Sequence, residues 1–429
     1  MSESVAMPNT SGAKPDVANR VAPARLQTAA RIWWREIDRV LLFLVLALMA
    51  IGTVAVAAAS PSSARRLSTS GTSLPDLHFF WQHLVWQALG IGVMLAVSTL
   101  PQIKARRLAV VLAGVMTFFL LLVPVVGVEV NGAHRWINLG LRFQPSEFLK
   151  AGFAVTLAWI ISWRARDPDM PVVGLVIGST ALVIALLMMQ PDLGSAVVFA
   201  GLSFVLLLLA GVPLARIGMF IGLGVVGLVA AYFLYGNAQE RIDDFMGGGT
   251  AFDQVDLAWR TLLAGGWLGS GFWLGVRKMS LPEAHTDYIF SVIGEEFGLA
   301  VCVLVVLLYL AIVARALLRA FDSEDLFTIL ASSGLAAVLG GQAFINILVN
   351  LRLFPSKGMT LPLVSYGGSS TIAICLTVGL LLAISRRNPY LSRTTPGLAR
   401  LFGLDATPPQ PERKAPAAPR ADWLEALRR

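Results

Sequence analysis

Asp287 stands where a long polar stretch, Leu281-Pro282-Glu283-Ala284-His285-Thr286-Asp287-Tyr288, runs into an apolar helix, and Glu295 and Glu296 follow two turns further in. Capping a helix does not call for so many carboxylates, so this spacing favours function. Other charged and polar segments accompany it. Gly132-Ala133-His134-Arg135-Trp136-Ile137 precedes Arg142-Phe143-Gln144-Pro145-Ser146-Glu147-Phe148-Leu149-Lys150. Pro145 suits the first turn of a helix, with Glu147 and Lys150 one turn apart on a shared face. The alternative for that pair is a capped helix end with a local ion pair. Gln190-Pro191-Asp192 sets a carboxylate at a tight turn, where helix capping is the competing reading. Gln342, Asn346 and Asn350 recur every four residues as one polar stripe, which either joins helices or lines a site. Pro355-Ser356-Lys357-Gly358 then leads into Leu361-Pro362-Leu363-Val364-Ser365-Tyr366-Gly367-Gly368, a helix interrupted by Pro and Gly. Irregular backbone of that kind is tolerated at membrane depth where protein buries it or a polar cavity adjoins it.

The elements that must position these groups follow from hydropathy. The chain is 56% hydrophobic and only 14% charged, with a mean hydropathy of +0.71. A soluble protein of 429 residues cannot hide that much apolar surface in one core, so lipid is the expected solvent. Crossing a bilayer takes roughly 20 apolar residues. Runs of that kind lie near 40–59, 80–99, 107–127, 146–163, 172–190, 193–211, 214–235, 287–314, 326–350 and 359–384. The expected fold is an all-α polytopic membrane protein of about ten transmembrane helices. Ionisable groups at membrane depth are costly and mark a functional interior, and here they gather at one end of the spans.

The net charge of +8 does not point to nucleic acid, because the basic residues are spread over short loops and tails. Arg31, Arg35, Arg39, Lys104, Arg106, Arg107, Arg164, Arg166, Arg216, Arg315, Arg319, Arg386 and Arg387 favour cytoplasmic termini. Residues 1–37 and 391–429 are expected to be cytoplasmic and largely disordered, with 38–390 forming the membrane domain. Trp423–Arg429 is read as solvated tail, a short amphipathic helix being the alternative. No cleavable signal peptide is expected. Cys302 and Cys375 lie in apolar runs and read as packing residues. The long outer loop, 236–286, holds an amphipathic helix candidate, Gln254–Leu263, and a Gly-rich stretch from Gly265 to Gly271 that suits a segment folded against the membrane surface.

Five segments together, GAHRWI…RFQPSEFLK, QPDLG, LPEAHTDYIF…GEEFG, PSKGMTLPL and VSYGGSS, resemble the SEDS family (shape, elongation, division and sporulation) in order and spacing across 38–390. Within it, PSKG before TLPLVSYGGSS, the Ala of LPEAHTD and the long basic lead resemble the division branch more than the elongation branch. The resemblance implies a ten-span peptidoglycan glycosyltransferase at the septal inner membrane that polymerises lipid II, the undecaprenyl-pyrophosphate-linked disaccharide. The 4-hydroxyl of one unit attacks the anomeric carbon of the growing strand, the lipid pyrophosphate leaves, and the centre inverts. That chemistry needs a general base and positive charge for the departing pyrophosphate.

By the same resemblance Asp287 matches an essential aspartate and is the proposed base. Arg142, Glu147, Lys150 and Asp192 match residues of a central polar cavity that would bind substrate. Arg135, His285, Lys357 and Ser365 are further candidates. An ordinary aspartate, with a pKa of ~4, is a weak base at neutral pH unless burial raises it or it acts late. A divalent cation bridging carboxylate and pyrophosphate is chemically reasonable, though no residue set fixes one. Implied partners are a class B penicillin-binding protein, other divisome proteins and membrane lipids. The chain departs from the family pattern at Gly269-Ser270-Gly271-Phe272-Trp273-Leu274-Gly275, where a short Gly-x-Gly-x-Gly run is usual, and at Tyr288, where Phe is usual. A lipid II flippase or other transporter, a recruiting scaffold and an elongation-type polymerase are the competing functions. No inverted repeat is visible, and the charges crowd one face instead of the midplane, which favours an enzyme.

Overall fold

Aspartates cap three of the helices that build the bundle. Asp38 accepts from the Leu41 amide at 3.1 Å to start α1 (Arg39–Leu67). Asp192 accepts from the Ser195 amide at 3.2 Å to start α6 (Leu193–Leu209), and Asp325 accepts from the Thr328 amide at 3.1 Å to start α10 (Leu326–Asn350). Each side chain satisfies a first-turn N–H that has no partner inside the helix. The computed structural model describes residues 30–68, 73–130, 133–138, 140, 142–165, 167, 169–234, 236, 239, 243, 247, 254–355 and 358–386. Residues 1–29 and 391–429 of the expected disordered termini, Trp423–Arg429 included, lie outside those residues, as do Arg166, Arg387, Lys357 and most of 235–253, whereas 30–36 of the expected disordered lead are helical.

The remaining elements are α2 (His78–Ser98), α3 (Gln102–Val126), α4 (Pro145–Ser162), α5 (Val172–Met188), α7 (Leu214–Leu234), α8 (Gln254–Ala264), α9 (Ile289–Phe321) and α11 (Gly368–Ile384). All but α8 have at least 17 residues, so the described residues hold ten long helices in an all-α bundle, of which α4 carries the buried Glu147 and Lys150. Six are long and apolar enough to cross a membrane by length and composition, and α5, α6 and α11 are shorter apolar helices. The short α8 is the expected amphipathic segment. Helix α9 is two helical pieces joined at Gly298, whose φ of 85° and ψ of 170° are not helical.

Helices pack where small residues let backbones meet. A Cβ built at Gly152 of α4 would lie 2.8 Å from the Ala109 carbonyl of α3. One built at Gly90 of α2 would lie 2.8 Å from Cys375 Sγ of α11. Close approach of this kind holds helices together in lipid, which supplies no hydrophobic drive between them. Cys302 and Cys375 are buried and unbridged, as packing residues should be.

Two local features differ from the hydropathy reading. Between α3 and α4 the chain forms an antiparallel sheet of β1 (Val128–Val130), β2 (Ala133–Asn138) and β3 (Arg142–Phe143), in the order β1-β2-β3. Its strands are too short to give a hydropathy signal. The last span was expected from residue 359, yet α11 begins only at Gly368. Pro362 removes a backbone donor, and Leu363 takes a left-handed φ of 67°, so residues 358–367 run as irregular chain.

Candidate functional site

Asp287 sits one residue before the α9 N-cap, half-buried in a small cleft with Tyr288, Asn346, Val349, Gly358 and Met359. The amide stripe of α10 holds its backbone. Asn346 Nδ2 donates to the Asp287 carbonyl at 2.8 Å and to the Met359 carbonyl at 2.6 Å. Asn350 Nδ2 donates to the same Asp287 carbonyl at 3.2 Å, and its Oδ1 accepts from Ser291 Oγ at 2.7 Å. The stripe therefore does join elements, and what it joins is the base candidate to the 358–360 loop. Gly358 brings that loop close: a Cβ built there would lie 3.6 Å from Asp287 Oδ2, at a φ of 61° that glycine adopts readily.

One step along the stripe, Gln342 reaches the buried charges. Lys150 Nζ donates to Glu147 Oε1 at 2.8 Å and to Gln342 Oε1 at 2.6 Å, while Gln342 Nε2 donates to the Thr360 carbonyl at 3.1 Å. Lys150 is fully buried and Glu147 nearly so, and Glu147 Oε2 has no hydrogen-bond partner among the described residues. Helical rise puts Gln342 roughly 12 Å along α10 from Asn350, so the ion pair is the deep end of a continuous polar ladder. Lys150 thus fixes a carboxylate and a carbonyl rather than facing solvent. Asp192, besides capping α6, accepts from Ser195 Oγ at 2.7 Å and from Gln144 Nε2 at 3.3 Å, and Gln144 is the N-cap of α4. Capping and site geometry coincide there: Asp192 ties the start of α6 to the start of α4.

Arg135 donates Nε to the Gln190 carbonyl at 3.2 Å and a terminal nitrogen to the Pro191 carbonyl, clamping β2 onto the α5–α6 turn. Its guanidinium is a brace. Arg142 is exposed on β3, and its side chain makes no hydrogen bond or ion pair among the described residues. Both hydrogen-bonding directions of the Ser365 hydroxyl are taken by backbone, donating to Thr286 O at 2.5 Å and accepting from Leu361 N at 2.8 Å. His285 is buried against Phe79 and Tyr366, with ring centroids 4.3 and 5.2 Å away. Burial pushes its imidazole down to about 4, partly opposed by the charge of Glu283.

Glu295 and Glu296 prove to be loop anchors, contrary to the functional expectation for that cluster. Glu295 accepts from the amides of Arg277 at 2.6 Å and Lys278 at 2.8 Å. Glu296 accepts from the amides of Trp273 and Gly275 and pairs with the buried ammonium of Lys278, which also donates to the Ala58 carbonyl at 2.9 Å. Two carboxylates thereby satisfy the N–H groups of an irregular loop lying along α9. The departure from the Gly-x-Gly-x-Gly pattern falls in this braced loop.

Among the described residues no three His, Cys, Asp or Glu side chains converge on a metal-sized site. A divalent cation at Asp287 would take most of its ligands from pyrophosphate and water, as Mg2+ commonly does. Elsewhere, an apolar cleft between α5, α6 and α7 is lined by Ile184, Met188, Leu193, Phe220 and Leu223, opening beside the Asp192 cap.

The bundle and its ladder define a polytopic helical membrane protein with a polar ladder leading to Asp287 at one end. Residues 38–390 match the FtsW/RodA/SpoVE family, described as cell cycle proteins, and the chain belongs to that family, the SEDS proteins. A probable peptidoglycan glycosyltransferase FtsW of Caulobacter vibrioides is 34% identical over 365 residues, covering 85% of this chain and 93% of that one. A protein of the same description from Aromatoleum aromaticum is 35% identical over 379 residues, covering 84% and 90%. Among solved structures, a chain from a peptidoglycan synthase complex that coordinates polymerization and crosslinking superposes with a TM-score of 0.67 at 31% identity, over 81% of this chain and 97% of that one. The rod shape determining protein RodA of Thermus thermophilus gives a TM-score of 0.61 at 32% identity, over 82% and 97%.

Proposed function

We propose that this chain is a peptidoglycan glycosyltransferase that polymerises lipid II at the outer face of the cytoplasmic membrane, with Asp287 as general base. The observation that carries the reading is the ladder. A half-buried carboxylate is held at its own carbonyl by Asn346 and Asn350 and linked through Gln342 to a buried Lys150–Glu147 pair. Such a group is pre-oriented, which is what a single displacement requires of its base. In the step, the Asp287 carboxylate takes the proton of the acceptor 4-hydroxyl as that oxygen bonds to the donor's anomeric carbon. The bond from that carbon to the lipid pyrophosphate breaks, and the centre inverts. An aspartate base suits a late transition state, in which the attacking hydroxyl has become acidic.

Exposed Arg142 is assigned to the departing pyrophosphate, since an unpartnered guanidinium matches phosphate oxygens in a fork. Lys150, Glu147, Asp192, Arg135, His285 and Ser365 hold that end of the bundle in shape, and Lys357 adjoins Gly358 in sequence beside the base. The apolar cleft at α5–α7 suits a lipid chain. Similarity to FtsW proteins and to a chain of a synthase complex supports division-septum work with a class B penicillin-binding protein as partner. Other divisome proteins belong to the same reading, as do cytoplasmic termini. A cation shared by Asp287 and pyrophosphate is compatible with these residues, and no step is assigned to it.

The experiment is polymerisation of labelled lipid II by purified full-length protein, with and without a partner transpeptidase. Glycan strands from the wild type support the reading. Lipid translocation across vesicles without strands would replace it with transport.

A further inference from the structure

The irregular segment before α11 grips the two carbonyls that immediately precede Asp287. Ser365 Oγ takes Thr286 O at 2.5 Å, and the Tyr366 amide takes His285 O at 2.9 Å. That segment is itself gripped from three helices. A Cβ built at Gly52 of α1 would lie 2.6 Å from Val364 Cα, so the two backbones are in direct contact. Tyr309 of α9 donates its hydroxyl to Pro362 O. From α2, Gln82 Oε1 accepts the Tyr366 hydroxyl, while Gln82 Nε2 lies 3.1 Å from His78 Nε2. One turn on, Trp86 closes over Gly368, where a built Cβ would come within 3.0 Å of its ring. Leu363 is held at a φ of 67°, a conformation that persists only where surroundings enforce it.

We propose that Gln82 and Tyr366 are positioning residues for Asp287, acting from α2. The side-chain clasp fixes Tyr366, the Tyr366 amide fixes His285, and His285 is two residues from the carboxylate. The Asn346–Asn350 ladder holds Asp287 from α10, and the clasp holds its approach from α2. Both ends of a short irregular segment are thereby set, and a carboxylate one ångström out of place loses much of its rate. This proposal rests on the reading of Asp287 as the base.

The test uses full-length protein with its partner transpeptidase and steady-state polymerisation of lipid II. Tyr366→Phe and Gln82→Ala are each expected to lower kcat about tenfold at unchanged KM. The double variant is expected to lose no more than Tyr366→Phe alone, because that change already removes the bond to Gln82 together with the Trp86 contact to the same hydroxyl. Gln82→Glu keeps the acceptor oxygen and is expected to return kcat to within about threefold of wild type. A thermal midpoint measured for each variant separates misfolding from misplacement, and Tyr366→Phe changes shape least. Wild-type kcat in both singles, or losses that multiply in the double, would overturn the proposal. Asp287→Asn is assayed alongside. If it polymerises normally, the base reading fails; if it is inactive while Gln82→Ala is normal, only the clasp fails.

Discussion

Replacing Lys150 by Met leaves Glu147 buried with neither carboxylate oxygen paired. The two side chains are 1% and 9% exposed, and Glu147 Oε2 already lacks a partner among the described residues. Removing one member of a buried pair costs about 3–5 kcal/mol, because the remaining charge is uncompensated. Orphaning Gln342 Oε1 adds about 1–3 kcal/mol. Lys150→Met should therefore lower stability by at least ~3 kcal/mol in reversible unfolding from mixed micelles. Adding Glu147→Gln removes the stranded charge, so the double variant should recover to within ~2 kcal/mol of wild type. Polymerisation should not recover with it. Lys150 orients Gln342, whose Nε2 holds the Thr360 carbonyl beside Asp287, and the double variant still lacks that donor. Lipid II turnover per folded molecule should stay at least about tenfold down. The reasoning is refuted if Lys150→Met costs less than ~1 kcal/mol, or if the double variant is no more stable than the single.

Asn346→Ala with Asn350→Ala strips both donors from the Asp287 carbonyl, and should reduce initial polymerisation rates about 10- to 100-fold with little change in lipid II affinity by direct binding. Lys278→Met takes the buried cation from Glu296, leaving its carboxylate only the Trp273 and Gly275 amides, and should open the 265–280 loop to limited proteolysis; wild-type resistance would refute the anchor. His285, pushed down to about 4 by burial, is neutral in the folded protein near neutral pH. Its contribution to stability is full above the unfolded value of about 6.5 and is lost as pH falls toward 4. Thermal midpoints should accordingly fall more steeply between pH 6.5 and 4 in wild type than in His285→Gln, and parallel curves would remove burial as the cause.

Hydropathy carried the ten long helices because a span needs length and apolarity, both local properties. Asp287, Glu147, Lys150 and Asp192 stood out because ionisable groups are rare in such runs. Their i,i+3 and capping relations are also local, so the Glu147–Lys150 pair and the Asp192 cap were readable beforehand. What each amide of the α10 stripe would hold was not, since the Asp287, Met359 and Thr360 carbonyls are distant in sequence or on another element. Glu295 and Glu296 looked functional for the same reason Asp287 did. Only the fold reveals that the amides of residues 273–278 return to them. Arg135 and Ser365 carry functional groups that sequence offers to a substrate, and tertiary backbone claims them first. The start of α11 was misplaced by nine residues because 359–367 is apolar without being helical.

Asp287→Asn tests the central claim most directly. The amide is nearly isosteric and leaves the backbone carbonyl free to accept from Asn346 and Asn350, but it cannot take a proton from the acceptor hydroxyl. In a lipid II polymerisation assay with purified full-length protein and partner transpeptidase, the account predicts bound lipid II, a wild-type thermal midpoint and no glycan strands. Strand synthesis by Asp287→Asn at the wild-type rate would contradict it.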